Sequence, residues 1–174
     1  MIHDPELLDR LSGLHPTRYE GIVFRATPIS IDPIAPSVSG GRWAPRPSRD
    51  PAVRVLYTCL VREGAIAEVA AYLAALTPPP TKGLKLHTLA ATTGKTVTLS
   101  RDDLIQLGVD FDRYGERNYE QTQKIGAAIN FLGFDGLIAP SARWKCDNLT
   151  IFTGNHALEE KLEALSVEEI DWRK

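Results

Sequence analysis

The chain is poor in cysteine, in aromatic residues and in net charge, and each shortage excludes something. Two cysteines, Cys59 and Cys146, stand among 174 residues, too few for a disulfide framework and in keeping with a reducing compartment. The four histidines, His3, His15, His87 and His156, share no metal-binding spacing with each other or with the thiols, so no metal site is expected. A formal net charge of −2 gives no general attraction to nucleic acid or to an anionic membrane, and any bound phosphate must be held by local groups. No apolar run approaches the roughly 18 residues of a membrane span. The start, Met1-Ile2-His3-Asp4-Pro5-Glu6, lacks the basic and apolar regions of a secretion signal. The expectation is a cytoplasmic protein that binds neither nucleic acid nor membrane.

Hydrophobic residues make up 43% of the chain and charged residues 24%, an ordinary balance for a folded domain with its own core. Residues 1–174 are therefore read as a single domain. Asp4-Pro5 opens a helix over 4–13 on Leu7, Leu8 and Leu11, closed by Gly13. A strand over Gly21–Ala26 runs into a loop over Thr27–Pro51, where Pro28, Pro33, Pro36, Pro45, Pro47 and Pro51 exclude long regular structure. Val53–Leu60 reads as a strand feeding an Ala-rich helix over Gly64–Leu76, which Thr77-Pro78-Pro79-Pro80 stops. Residues 83–91 and 95–99 read as two strands joined through Thr92-Thr93-Gly94. Ser100 caps a short helix ending at Gly108, and Tyr119–Leu132 is the longest helical candidate. Strands over Gly136–Ala139 and Asn148–Phe152 follow, then a helix over His156–Leu165. Helices and strands without regular alternation predict an α+β fold, a mixed β core flanked by helices.

Several motifs carry no chemistry. Thr92-Thr93-Gly94-Lys95-Thr96 ends like a phosphate-binding loop, but Leu89 stands where its first glycine is required and Val97-Thr98-Leu99 is β-prone. Ser141, in Ala139-Pro140-Ser141-Ala142-Arg143, lacks the strained glycine elbow of a serine nucleophile. Cys146 follows Lys145 without a histidine partner and reads as passive. Glu159, Glu160, Glu163, Glu168 and Glu169 read as the solvated face of the last helix.

Five polar residues stand apart because each sits in an apolar or glycine-rich setting: Arg25, Arg42, Tyr57, Glu68 and Ser141. A charge flanked by Val, Ile, Leu and Ala is costly to desolvate unless it is paired or meets a polar ligand, which suggests one shared pocket. Gly40-Gly41 before Arg42 allows backbone to approach a ligand closely. Taken singly, each has a plainer reading: Arg25 reaching the surface, Tyr57 in the core, Glu68 paired with Arg62, Ser141 in a turn.

The combination resembles the RES-domain family, named for its Arg, Glu and Ser. The resemblance covers about residues 20–153 and rests on Ser39-Gly40-Gly41-Arg42-Trp43, on Leu56-Tyr57 through Ala67-Glu68-Val69, and on Phe134-Asp135-Gly136-Leu137-Ile138 leading to Ser141 and Asn148-Leu149-Thr150-Ile151-Phe152. It implies a fold like that of the ADP-ribosyltransferases. It also implies an enzyme that depletes NAD by cutting the nicotinamide–ribose bond, through phosphorolysis or hydrolysis, and that an antitoxin of Xre type neutralises. NAD would be a substrate and not a tightly bound cofactor, with inorganic phosphate as a co-substrate. On this reading Glu68 stabilises the cationic sugar, Arg25 and Arg42 hold phosphate groups, and Tyr57 and Ser141 serve nicotinamide, ribose or phosphate. Ala44 and Phe24 stand where the family usually has Asn and often has Tyr. Two other readings of the resemblance are transfer of ADP-ribose to a macromolecule and a weakened binding module.

Overall fold

The computed structural model of the protein describes residues 2–47 and 53–174. The end of the expected proline-rich loop, residues 48–51, lies outside the described residues. Helix α1 (Pro5–Ser12) starts as expected: the Asp4 carboxylate accepts from the Glu6 amide at 2.9 Å, and Leu7 and Leu11 are buried. Strand β1 (Thr17–Pro28) and strand β2 (Val55–Cys59) flank the irregular segment, and helix α2 (Arg62–Ala74) follows β2 directly. Strand β3 (Leu84–Thr98) leads to helix α3 (Arg101–Gln106), where Ser100 and Asp103 exchange capping hydrogen bonds. A short 3-10 turn at Phe111–Arg113 precedes helix α4 (Glu120–Phe131), and Gly133 takes up a left-handed φ of 81° just after it. Strands β4 (Gly136–Pro140), β5 (Asp147–Phe152) and β6 (Leu162–Ile170) complete the chain.

The strand order is β1-β2-β5-β4-β3-β6, and β1 also pairs with β3, so the first five strands close into a ring. The β3–β4 pairing is parallel and the other described pairings are antiparallel, giving the expected mixed sheet in an α+β fold. Val23, Leu56, Leu89, Ala91, Leu149 and Ile151 meet on one sheet face, inside the ring. On the other face, Ile125 and Ile129 of α4 pack with Val97, Leu137 and Phe152, while Ala65 of α2 packs on Cys59 and Leu86. Burial of one large aliphatic side chain stabilises by about 1.5–3 kcal/mol, so these layers fix where α2 and α4 sit on the ring.

Two expectations are corrected. Residues 84–98 form one strand and not two joined by a turn. The Asp135 carboxylate accepts from the Gly94 and Lys95 amides at 2.9 and 2.8 Å, and β1 pairs beside Thr92 and Thr93, so the glycine is held in extended chain. The C-terminal segment is an edge strand and not a helix over 156–165. The free edge of β3 supplies a full ladder, Leu84↔Ile170 through Ala91↔Leu162, which outweighs the helical spacing of Leu158, Leu162 and Leu165. Leu158 is left fully exposed, and Glu163, Glu168 and Glu169 lie on that strand.

Candidate functional site

Glu68 lies on α2, which starts three residues after β2 ends and so overhangs the sheet face to which Cys59 belongs. Residues directly opposite across an antiparallel pair share a face, and residues two apart along a strand do as well. Cys59 pairs with Asn148 and Tyr57 with Thr150, which places Tyr57, Cys59 and Asn148 on that face. Asn148 Nδ2 donates to Glu68 Oε1 at 3.0 Å. Ser141 stands just beyond β4 in a turn closed by its own amide donating to the Cys146 carbonyl at 2.9 Å. Its Oγ accepts from the Arg143 and Trp144 amides at 3.1 and 3.2 Å, and it donates to Glu68 Oε1 at 2.6 Å. One carboxylate oxygen is therefore held by two donors from two strand ends. Oε2 has no hydrogen-bond partner among the described residues.

Arg42 is placed by glycine geometry. Gly40 has φ 88°, a conformation that favours glycine, and a Cβ at Gly41 would stand 2.5 Å from the Tyr57 hydroxyl. The Trp43 amide donates to that hydroxyl at 3.2 Å, and Gln123 Nε2 of α4 donates to the Gly41 carbonyl at 2.9 Å. A Cβ at Gly126 would collide with the Trp43 carbonyl, so α4 approaches this turn as only a glycine allows. Held in this way, the Arg42 guanidinium lies 4.3 Å from the Tyr114 ring centroid and 4.8 Å from that of Tyr119. Arg42 makes no ion pair among the described residues, and its charge rests on the two ring faces. The Tyr114 hydroxyl in turn donates to the Pro140 carbonyl at 2.8 Å, tying this shelf to the residue before Ser141. Burial pushes the Tyr57 and Tyr114 phenols up to about 12, so both stay protonated at neutral pH.

The structure brings Glu68 and Ser141 into contact and sets Arg42 against Tyr114, which reaches the Ser141 turn. Tyr57 supports the Arg42 turn through the Trp43 amide. Arg25 is not brought to them. Its neighbour Phe24 pairs with Cys59, so Arg25 leaves β1 on the opposite face, where its Nη1 donates to the Pro33 and Ala35 carbonyls at 3.2 Å each. Among the described residues the contacts thus fall into two groups, Glu68 with Ser141 and the Arg42 turn with Tyr57, linked through Tyr114, and Arg25 bonds to neither. Arg62 pairs with Glu168 at 2.9 Å and leaves Glu68 to the site. Ala44 is fully buried and its carbonyl accepts from the Gly41 amide at 2.8 Å, so the position is part of the core that shapes the turn.

Asn148, Tyr114 and Tyr119 join the cluster without having been singled out in the sequence. Asn148 sits inside a segment already matched to the family, and the two tyrosines lie in a polar stretch whose proximity to Arg42 no spacing reveals. A cavity of about 260 Å³ opens on this shelf, lined by Arg42, Asp110, Arg113, Tyr114 and Asn118 among others. Glu68 and Ser141 do not line it, so the hydrogen-bonded carboxylate and not the cavity defines the candidate centre. Among the described residues no cluster of His, Cys, Asp and Glu fits a metal ion, and no helix is long and apolar enough to cross a membrane.

A family model described as RES domain matches residues 8–173. No curated protein matches the chain. Among solved structures, a chain of the M. tuberculosis MbcT-MbcA toxin-antitoxin complex superposes with a TM-score of 0.84 at 18% identity, covering 98% of this chain and 94% of that one.

Proposed function

The chain belongs to the RES-domain family, and from that premise we propose that it is an enzyme that cleaves the nicotinamide–ribose bond of NAD. The observation that carries this reading is the Glu68 carboxylate, with Oε1 fixed by Ser141 and Asn148 and Oε2 without a partner among the described residues. When the bond breaks, its electron pair leaves with nicotinamide, which departs neutral, and positive charge develops on the ribose. A carboxylate whose geometry is already set stabilises that charge without reorganising. Arg42 offers a planar fork of donors to the pyrophosphate of NAD or to an incoming phosphate, and Tyr114 and Tyr119 hold the guanidinium in place. Tyr57 and Ser141 act on the substrate through the turns they organise, and Arg25 acts indirectly by ordering the segment around Pro33 and Ala35.

The acceptor is inorganic phosphate or water, attacking the anomeric carbon as nicotinamide leaves. Such an activity depletes NAD in the cell that makes it, so a protein inhibitor is required. The fold shared with a chain of a toxin-antitoxin complex supports an antitoxin partner, and we assign that partner to the Xre type. The test is to incubate the purified chain with NAD, with and without inorganic phosphate, and to weigh the products. Nicotinamide with phosphorylated ADP-ribose marks phosphorolysis, and nicotinamide with ADP-ribose marks hydrolysis. Intact NAD under both conditions overturns the proposal.

A further inference from the structure

A second pair of reactive groups lies one helical turn below Glu68. Cys59 ends β2 and Cys146 ends the Ser141 turn, 87 residues apart in sequence, with their sulfurs 3.3 Å apart. Both thiols are free. They meet over Gly64 in the first turn of α2, where a Cβ would collide with both sulfurs, so the glycine makes room for the pair. Cys59 is buried and Cys146 is half-buried, which makes Cys146 the sulfur an oxidant reaches first. Closing the gap to a disulfide needs an approach of little more than about 1 Å.

We propose that Cys59 and Cys146 form an oxidation site that a hydroperoxide converts into an intramolecular disulfide. The Cys146 thiol takes one oxygen from the peroxide to become a sulfenic acid, and the peroxide leaves as water or an alcohol. The Cys59 sulfur then attacks the Cys146 sulfur, the S–S bond forms and the S–O bond breaks, and the hydroxyl leaves as water with the Cys59 proton. Burial raises both thiols above their ordinary range, Cys59 to about 12, so the reaction is slow at neutral pH and quickens in mild alkali. The Cys146 carbonyl anchors the Ser141 amide, so drawing Cys146 toward Cys59 shifts the turn that orients Glu68. This consequence rests on the function proposed above, whereas the disulfide itself does not.

The experiment treats the full chain with hydrogen peroxide in mild alkali, blocks remaining thiols, and maps peptides without reduction. The expected result is a mass lower by two hydrogens and one linked peptide pair containing Cys59 and Cys146, reversed by dithiothreitol. In Cys146→Ser, Cys59 stays reduced. Oxygen added to Cys146 with Cys59 still free overturns the proposal, as do two unreacted thiols under conditions that oxidise an exposed control thiol. The same samples are assayed for NAD cleavage, where loss of the Ser141 contact slows turnover about tenfold until dithiothreitol restores it. A disulfide with unchanged turnover overturns the link to Ser141. Absence of NAD cleavage in the reduced chain, with the disulfide still formed, rejects the proposed function and leaves the oxidation site standing.

Discussion

At the scale of single residues, the site depends on charges whose surroundings are already arranged. Glu68→Gln keeps the size of the side chain and removes the charge facing the sugar, and losing one such stabiliser lowers turnover on the order of 100-fold or more. The check is steady-state NAD cleavage beside a circular dichroism spectrum, and wild-type turnover in a folded variant removes Glu68 from the chemistry. Asn148→Ala takes away one of the two donors on Oε1, and a fall of about tenfold in kcat with KM little changed is expected for a residue that positions the carboxylate. For Arg42, lysine and alanine are expected to be similarly damaging. A flexible point charge reproduces neither the stack between Tyr114 and Tyr119 nor the guanidinium fork. Near-full activity in Arg42→Lys reduces its role to general positive charge.

At the scale of elements, the irregular segment after β1 is held by the strand itself. Arg25 donates to two loop carbonyls, and Arg25→Ala leaves both without that donor, at a cost of roughly 1–3 kcal/mol. The expected outcome is faster proteolytic cutting between residues 29 and 37, read by mass, with the rest of the chain still protected. Equal protection of that segment rejects the ordering role. The elements with strong local signals were legible in the sequence: the Asp4 and Ser100 caps, the Pro-stopped α2, and the strand at β2 are where pattern placed them. The strand β6 was not, because its conformation comes from hydrogen bonding to an edge of β3 that exists only after β3 has folded.

At the scale of the whole molecule, burial of weak acids beside the site sets a pH limit. Tyr57 and Tyr114 are shifted from 10.0 to about 12, and Cys59 from 9.0 to about 12. In the unfolded chain these groups lose their protons at the ordinary values, while the folded chain keeps them. Above about pH 9 the unfolded state therefore binds fewer protons, and stability falls as pH rises toward 12. Melting temperatures followed by circular dichroism are expected to be level below pH 9 and to decline above it. Tyr57→Phe makes that decline shallower even if it melts lower at neutral pH, and an unchanged slope shows that Tyr57 is not among the groups responsible.

Glycines, prolines, caps and apolar periodicity act within a few residues of one another, and so the sequence by itself determined most helices and strands, the α+β class and the five polar candidates. Family resemblance added the link among Arg25, Arg42, Tyr57, Glu68 and Ser141. Tertiary structure alone decided which of them meet. Period two along β1 and its pairing with β2 turn Arg25 away from Glu68, whereas the pairing of β5 with β2 and with β4 brings Asn148 and the Ser141 turn onto a single carboxylate oxygen. Contacts across 73 and 80 residues depend on strand order and register, and neither quantity is encoded in any local stretch of chain.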